Sequence, residues 1–302
     1  MNYQGKKIAI TGVSGFLGRA IADQLERLAQ PAGENTLTLP GVYKYVKVLE
    51  GDVRDPKTFK ALDHTFDYLF HFAAPSSQVL FKRQAAYCIE STLKGLMNAA
   101  SACQKHGIRL IYPSTGLLSS DRYNEYALCK KISEDYVQGL GIDALGIRIF
   151  ATYGPGEGHK ADYASVPYLF ARDLVNGKAP VIFGDGEQVR DFIYIDDVVN
   201  AVCILAEECH QPIIDVGSGA QTSFNAIVKE LNLIVQSPRA AQFVDAPSGY
   251  VKETAADPTD LQRYYKPQVT FAQGLAMIVR ELTGDTDKVL PTAKKKREKV
   301  AA

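Results

Sequence analysis

Tyr126 and Lys130 stand four residues apart in a stretch, 123–140, whose pattern predicts a helix, so both side chains fall on one face. A phenol titrates at about 10 in water, too high to act as a base at neutral pH, and a neighbouring ammonium favours the phenolate. With a hydroxyl to hold the reacting oxygen, such a couple moves a proton on or off an alcohol while hydride passes to a nicotinamide. Thr115 supplies that hydroxyl: with Ser114 it ends a predicted strand, 108–113, just ahead of the Tyr126 helix. Spacing alone carries little, because Tyr3/Lys7 and Tyr43/Lys47 repeat it, and an exposed helical tyrosine beside a solvated lysine is the plainer alternative. The setting separates Tyr126 from the other two.

A glycine turn completes that setting. Gly12, Gly15 and Gly18 lie between a predicted strand, 7–11, and a predicted helix, 19–29. Dinucleotide pyrophosphate needs a tight turn, a backbone it can approach closely, and a helix start with unpaired amides. A plain strand-to-helix turn is the alternative. Asp52, after the next strand at 45–50, is placed to accept from an adenine amino group or to serve as a turn or cap residue. The acidic residue expected about 20 positions beyond the glycines, on the adenosine ribose, is missing. There the chain reads PAGENTLTLPGVYK, with a predicted strand end at Leu39, so charge does not choose between NAD and NADP.

These residues are positioned by alternating elements. Strands at 7–11, 45–50, 68–73, 108–113 and 144–150 interleave with helices at 19–29, 56–62, 84–106 and 123–140, which predicts an α/β fold with a doubly wound, Rossmann-like parallel sheet covered on both faces. After Tyr153 the glycine-rich GPGEGHK breaks the pattern, and helices at 166–176, 224–235 and 271–282 with a strand at 213–216 predict a smaller α/β substrate lobe. The expected division is a dinucleotide-binding part over 1–165, to which 176–210 returns, a substrate lobe from 166–175 and 211–285, and a basic disordered tail over 286–302.

Composition narrows the class. The 302 residues carry 34 Lys+Arg against 34 Asp+Glu, and this neutral balance argues against a nucleic-acid binder. No apolar run is long enough to span a bilayer and the N-terminus lacks a secretory core, so a cytoplasmic, non-membrane protein is expected. Five cysteines, 88, 103, 129, 203 and 209, form no CxxC pair, so reduced thiols and no metal site are expected. The cluster Lys294, Lys295, Lys296, Arg297 and Lys299 reads as a solvated tail, with an import or anionic-surface address as the alternative.

Taken together, TGVSGFLG, GDVRD, HFAA, the strand ending PST, YALCK, RIFATYGPG (148–156), FGDGEQVRDFIYIDDV (183–198), DVGSG (215–219) and TAADPTDLQ resemble the extended short-chain dehydrogenase/reductase family. The branch is that of the NAD-dependent epimerases and dehydratases acting on nucleotide sugars. The resemblance implies that Gly12, Gly15, Phe16, Leu17 and Gly18 line the cofactor pyrophosphate, Asp52 and Val53 the adenine, and Ala73 and Ala74 the ribose. It implies catalytic roles for Thr115, Tyr126 and Lys130, the latter two also touching cofactor, with Ser114, Thr115 and Arg190 on the substrate. A guanidinium's planar fork suits Arg190 to clamp a diphosphate; an ion pair with Asp191 or Asp197 is the alternative. The family also implies a homodimer through the helices at 87–107 and 123–140. Three positions depart from it, Ala151 and Thr92 where Asn is usual and Tyr250 where Asp is expected. The loop between Thr115 and Tyr126 is short, and His159 and Lys160 are candidates to reach into the gap.

Within that branch, a 4,6-dehydratase has Asp-Glu directly after the Thr, whereas this chain has Gly116 and Leu117. A related decarboxylase has a Glu at that edge, and none is present; a reductase-type Cys/His pair is not formed by Cys129, expected to face away. What remains is reversible oxidation of a sugar hydroxyl, hence NAD-dependent 4-epimerisation of a nucleotide sugar, UDP-linked, through a 4-keto intermediate. A net NAD(P)-dependent reductase or dehydrogenase, and a non-catalytic nucleotide-binding protein, are the alternatives.

Overall fold

The computed structural model describes residues 1–32, 41–120, 124–235, 238–247 and 250–284. The predicted strand end at Leu39, the helix start at Tyr123 and the basic tail over 286–302 lie outside the described residues.

The chain opens with β1 (Ile8–Thr11), buried at every position, and turns into α1 (Phe16–Ala29), whose Ile21, Ala22, Leu25 and Ala29 form the buried stripe. There follow β2 (Val46–Val48), β3 (Tyr68–His71), α2 (Gln78–Arg83), α3 (Ala85–His106), β4 (Arg109–Thr115), α4 (Glu125–Leu140) and β5 (Ala144–Ile149). Beyond them lie β6 (Ala151–Tyr153), α5 (Val166–Val175), β7 (Val181–Phe183), β8 (Val189–Tyr194), α6 (Ile195–Glu208) and β9 (Ile213–Val216). The chain's last described elements are β10 (Gln221–Ser223), α7 (Phe224–Val235), β11 (Gln242–Val244) and α8 (Phe271–Thr283).

Six strands form one parallel sheet in the order β2-β1-β3-β4-β5-β9. Parallel strands are buried on both faces. Here α1 and α6 cover one face, while Leu96, Ala99, Ala100 and Cys103 of α3 pack with Leu69 and Leu110 on the other. This is the Rossmann-type doubly wound sheet expected from the alternation. In the common 3-2-1-4-5-6 order two strands lie beyond the first; among the described residues one does, β2. Buried Glu26 of α1 pins it there, accepting from the amides of Lys44 at 2.6 Å, Tyr45 at 2.9 Å and Val46 at 3.0 Å.

The smaller lobe is built on a three-stranded sheet in which β8 pairs with β6 in parallel and β10 antiparallel, and on the parallel pair β7 and β11. Helices α5, α7 and α8 close it. Strand β9, placed with the lobe in the expected division, is the sixth strand of the main sheet. Its neighbour explains why: a Cβ on Gly146 of β5 would meet Ile213 Cδ1 at 2.5 Å, so the glycine makes room for the β9 side chain. The expected helix at 56–62 is a 3-10 turn over Pro56–Phe59, capped by Asp55.

One core runs through both parts. Tyr153 of β6 contacts the rings of Phe192 at 6.2 Å, Tyr194 at 5.8 Å and Phe271 at 5.1 Å. Asp191, fully buried on β8, accepts from Ser218 N and Oγ at 2.7 Å and from Gly219 N at 2.9 Å, fixing the loop that follows β9. No helix among the described residues is long and apolar enough to cross a membrane.

Candidate active site

The carboxyl ends of β1, β3, β4 and β5 open into a cleft of about 530 Å³ that runs from the glycine turn past Thr115 and Tyr126 to Arg190. Its far wall is the loop after β6 and the start of α5.

At the glycine turn, Gly12 has φ +84, and a Cβ there would meet the Phe72 carbonyl carbon at 2.5 Å. A Cβ on Gly18 would stand 2.1 Å from the Gly12 oxygen, so α1 packs directly on the turn that precedes it. The first-turn amides of Phe16 and Leu17 find no acceptor among the described residues, as expected at a helix start. Such a cradle fits the pyrophosphate of a dinucleotide. Gly15, Phe16, Leu17, Gly18 and Ala74 line the cleft, whereas Gly12, Asp52, Val53 and Ala73 do not. Ala73 N donates to Thr11 Oγ1 at 3.3 Å. Val53 is buried, its side chain against Gly95 and its carbonyl accepting from Asn98 at 2.9 Å. The Asp52 carboxylate is taken by Arg54 at 2.6 Å, which holds it down to about 2, and Arg54 also reaches Glu90 at 3.1 Å.

Thr115 ends β4 and Tyr126 and Lys130 occupy successive turns of α4, which starts at the Asn124 side-chain cap on Ala127 N. All three are buried yet line the cleft. Burial pushes the Tyr126 phenol up, and the Thr115 side chain pulls it partly back. The expected depression by Lys130 is not found. The Lys130 Nζ instead donates to the Pro113 carbonyl at 2.8 Å, and burial lowers it to about 8.

Ser114 also lines the cleft, and its hydroxyl donates to buried Glu134, which in turn binds Arg148 at 2.7 Å. Cys129 packs with Cys88, Phe81 and Tyr126 and does not line the cleft. All five cysteines are buried and free. Thr92 Oγ1 and His71 Nε2 are buried without a partner among the described residues, and burial drives His71 down to about 3, so it is neutral.

Arg190 lines the opposite end. Its Nη1 donates to the Val189 carbonyl at 2.7 Å and its Nη2 to Val251, and the guanidinium lies 5.7 Å from the rings of both Phe224 and Tyr250. The ion-pair alternative is overturned: Asp191 binds the loop amides above, and Asp197 accepts from Tyr265 and from the amides of Gln268 and Val269. Ala151, His159, Lys160 and Tyr250 also reach the cleft. The sequence reading missed α2, whose leading residues Ser76, Ser77 and Gln78 line the mouth, and Arg83 at its end donates to Tyr163 Oη at 2.6 Å. The signal available was Ser77, which caps α2 by accepting from Val79 N. Glu157, also missed, is fully buried within a glycine-rich loop.

The glycine turn after β1 and Thr115, Tyr126 and Lys130 beside the end of β4 thus share one cleft at the edge of a parallel sheet. A family model described as the NAD dependent epimerase/dehydratase family matches residues 8–217, and the chain belongs to that family. It is similar to a UDP-N-acetyl-alpha-D-glucosaminuronate decarboxylase of Bacillus cytotoxicus, with 26% identity over 93% of this chain and 99% of the relative. A UDP-N-acetylglucosamine 4-epimerase from Methanobrevibacter ruminantium, solved with UDP-N-acetylmuramic acid, is 26% identical, with a TM-score of 0.82 over 93% of this chain and 99% of that one. A UDP-glucose 4-epimerase from Thermotoga maritima shares the fold at 23% identity, with a TM-score of 0.82 over 92% and 98%.

Proposed function

We propose that the chain is an NAD-dependent 4-epimerase of a UDP-sugar, working through a transient 4-keto sugar. The observation that carries this reading is that Thr115, Tyr126 and Lys130 come together, buried, in a cleft whose described lining offers no free carboxylate. Gly116 and Leu117 follow Thr115, and the one carboxylate among the described lining residues, Glu157, is committed to Gly154, Ser165 and Lys160. Among the described lining residues no free carboxylate is available as the acid/base pair of water elimination, whereas oxidation and re-reduction of one hydroxyl need only Thr115, Tyr126 and Lys130.

Tyr126 takes the proton from the sugar 4-hydroxyl and returns it. Thr115 holds that oxygen, and Lys130, swung from the Pro113 carbonyl, supplies the positive charge that stabilises the phenolate and binds the cofactor ribose. The bound nicotinamide supplies reversible hydride acceptance. Gly12, Gly15, Phe16, Leu17 and Gly18 hold its pyrophosphate, Asp52 and Val53 its adenine, and Ala73 and Ala74 border its ribose. Arg190 grips the substrate diphosphate from the lobe, with Ser114 contributing from the β4 end. The chain pairs as a homodimer through α3 and α4, where Tyr87, Met97, Leu128 and Ile132 are exposed; light scattering at twice the chain mass is the expected result.

A second reading, decarboxylation of a UDP-linked uronic acid, is favoured by the Bacillus relative. Incubation with UDP-glucose, UDP-N-acetylglucosamine and UDP-glucuronic acid, followed by proton NMR, decides. A C4 epimer with no accumulation of reduced cofactor is expected. A pentose product with released carbon dioxide selects the decarboxylase, and consumption of added NAD(P)H selects a net reductase.

A further inference from the structure

We propose that Lys160, on the loop between β6 and α5, is a ligand of the cofactor pyrophosphate; this rests on the NAD-binding reading above. The loop is held against the glycine turn from both ends. Gly156 has φ +93, a Cβ on it would lie 3.7 Å from the Phe16 ring, and its amide donates to Glu281 of α8 at 2.8 Å. Glu157 forms a buried post beside it, accepting from Gly154 N at 3.3 Å, Ser165 N at 2.8 Å and Ser165 Oγ at 2.7 Å.

Lys160 is aimed from this post. Its Nζ donates to Glu157 at 2.9 Å and stands 4.0 Å from the centroid of the Phe16 ring. An ammonium has three donors, and Glu157 takes one of them, so two remain uncommitted in a side chain that lines the cleft together with Phe16 and Leu17. Phe16 and Leu17 are also the first-turn residues whose amides have no acceptor among the described residues.

The electrostatics require such a group. A pyrophosphate diester carries two negative charges at neutral pH, and a helix start offers the equivalent of about half a positive charge. A full cation on the far side of the ligand meets much of the remainder. Glu157 keeps Lys160 paired when no ligand is bound, and because Glu157 accepts three other hydrogen bonds, Lys160 can turn toward a phosphate without leaving that carboxylate stranded. Arg190, anchored on β8 between Phe224 and Tyr250, serves the other diphosphate, so the two anions of the reaction have separate cations.

The substrate diphosphate shares the cofactor's chemistry, and the experiment separates the two. NADH and UDP are titrated separately, by fluorescence and calorimetry, into wild type, Lys160→Gln and Lys160→Arg, with melting temperatures recorded. The expected result is NADH affinity lowered about tenfold in K160Q, the size of one charge-assisted contact, recovered in large part by K160R, with UDP affinity and melting temperature unchanged. Unchanged NADH affinity in K160Q overturns the proposal alone. Loss of UDP rather than NADH affinity assigns the cation to the substrate and overturns it as well, as does an equal loss of both. A wild-type chain that binds no dinucleotide overturns the NAD reading and the proposal together.

Discussion

Tyr126→Phe is expected to lower turnover by roughly a hundredfold to ten-thousandfold, the range of one positioned acid/base group, while leaving cofactor content and melting temperature near wild type. The ring belongs to a small cluster with Phe81, Cys88 and Cys129, edge-on to Phe81 at 5.4 Å. Phe keeps all of that packing and removes only the hydroxyl. Thr115 keeps its bond from Leu117 N at 3.3 Å, so the end of β4 holds. Single-turnover assays on protein whose bound NAD has been quantified by chromatography are the check. Near-normal turnover removes Tyr126 from the chemistry.

Gly18→Val is expected to abolish dinucleotide binding and to lower the melting temperature. The new Cβ would stand 2.1 Å from the Gly12 oxygen, and that atom is backbone, so relief requires the whole turn to move. Overpacking of this kind costs about 1–3 kcal/mol, and the displaced turn no longer aims the amides of Phe16 and Leu17. Gly15→Ala is the comparison. Its Cβ meets only the Gly12 oxygen, at 3.3 Å, a contact that yields by a few tenths of an ångström, and binding is expected to survive in weakened form. NADH titration and thermal melting of the two variants, side by side, give the ranking; equal behaviour would show that the turn is not the binding element.

Much of this site was legible because its chemistry is local in sequence. The glycine turn sits within seven residues, Tyr126 and Lys130 within one helical turn, and Thr115 at a strand end whose apolar run is plain. Family membership and the parallel sheet followed from the same segments. What the sequence hid depends on distant partners. Arg190 owes its setting to Phe224 and Tyr250, Ser114 loses its hydroxyl to Glu134, and Lys130 rests on a backbone carbonyl that no side-chain pattern announces. The short helix α2 has too few residues to show a period. Strand β9 reads as part of the lobe until Gly146, 67 residues earlier, is seen to leave the space for Ile213. The acidic residue sought for the ribose is lacking in the sequence stretch where it is expected, and the strand that docks beside β1 is β2, tied to buried Glu26.

The aromatic contacts of Tyr153 have a consequence for how the enzyme breathes. Because its ring joins β6, β8 and α8 in one core with the β1 and α1 side chains, the two halves have no lubricated plane on which to swing. At the rim the Arg83 guanidinium stands 5.3 Å from the Tyr163 ring. With one core shared in this way, both halves are expected to melt together, and a calorimetric trace with two separated peaks would show that they part.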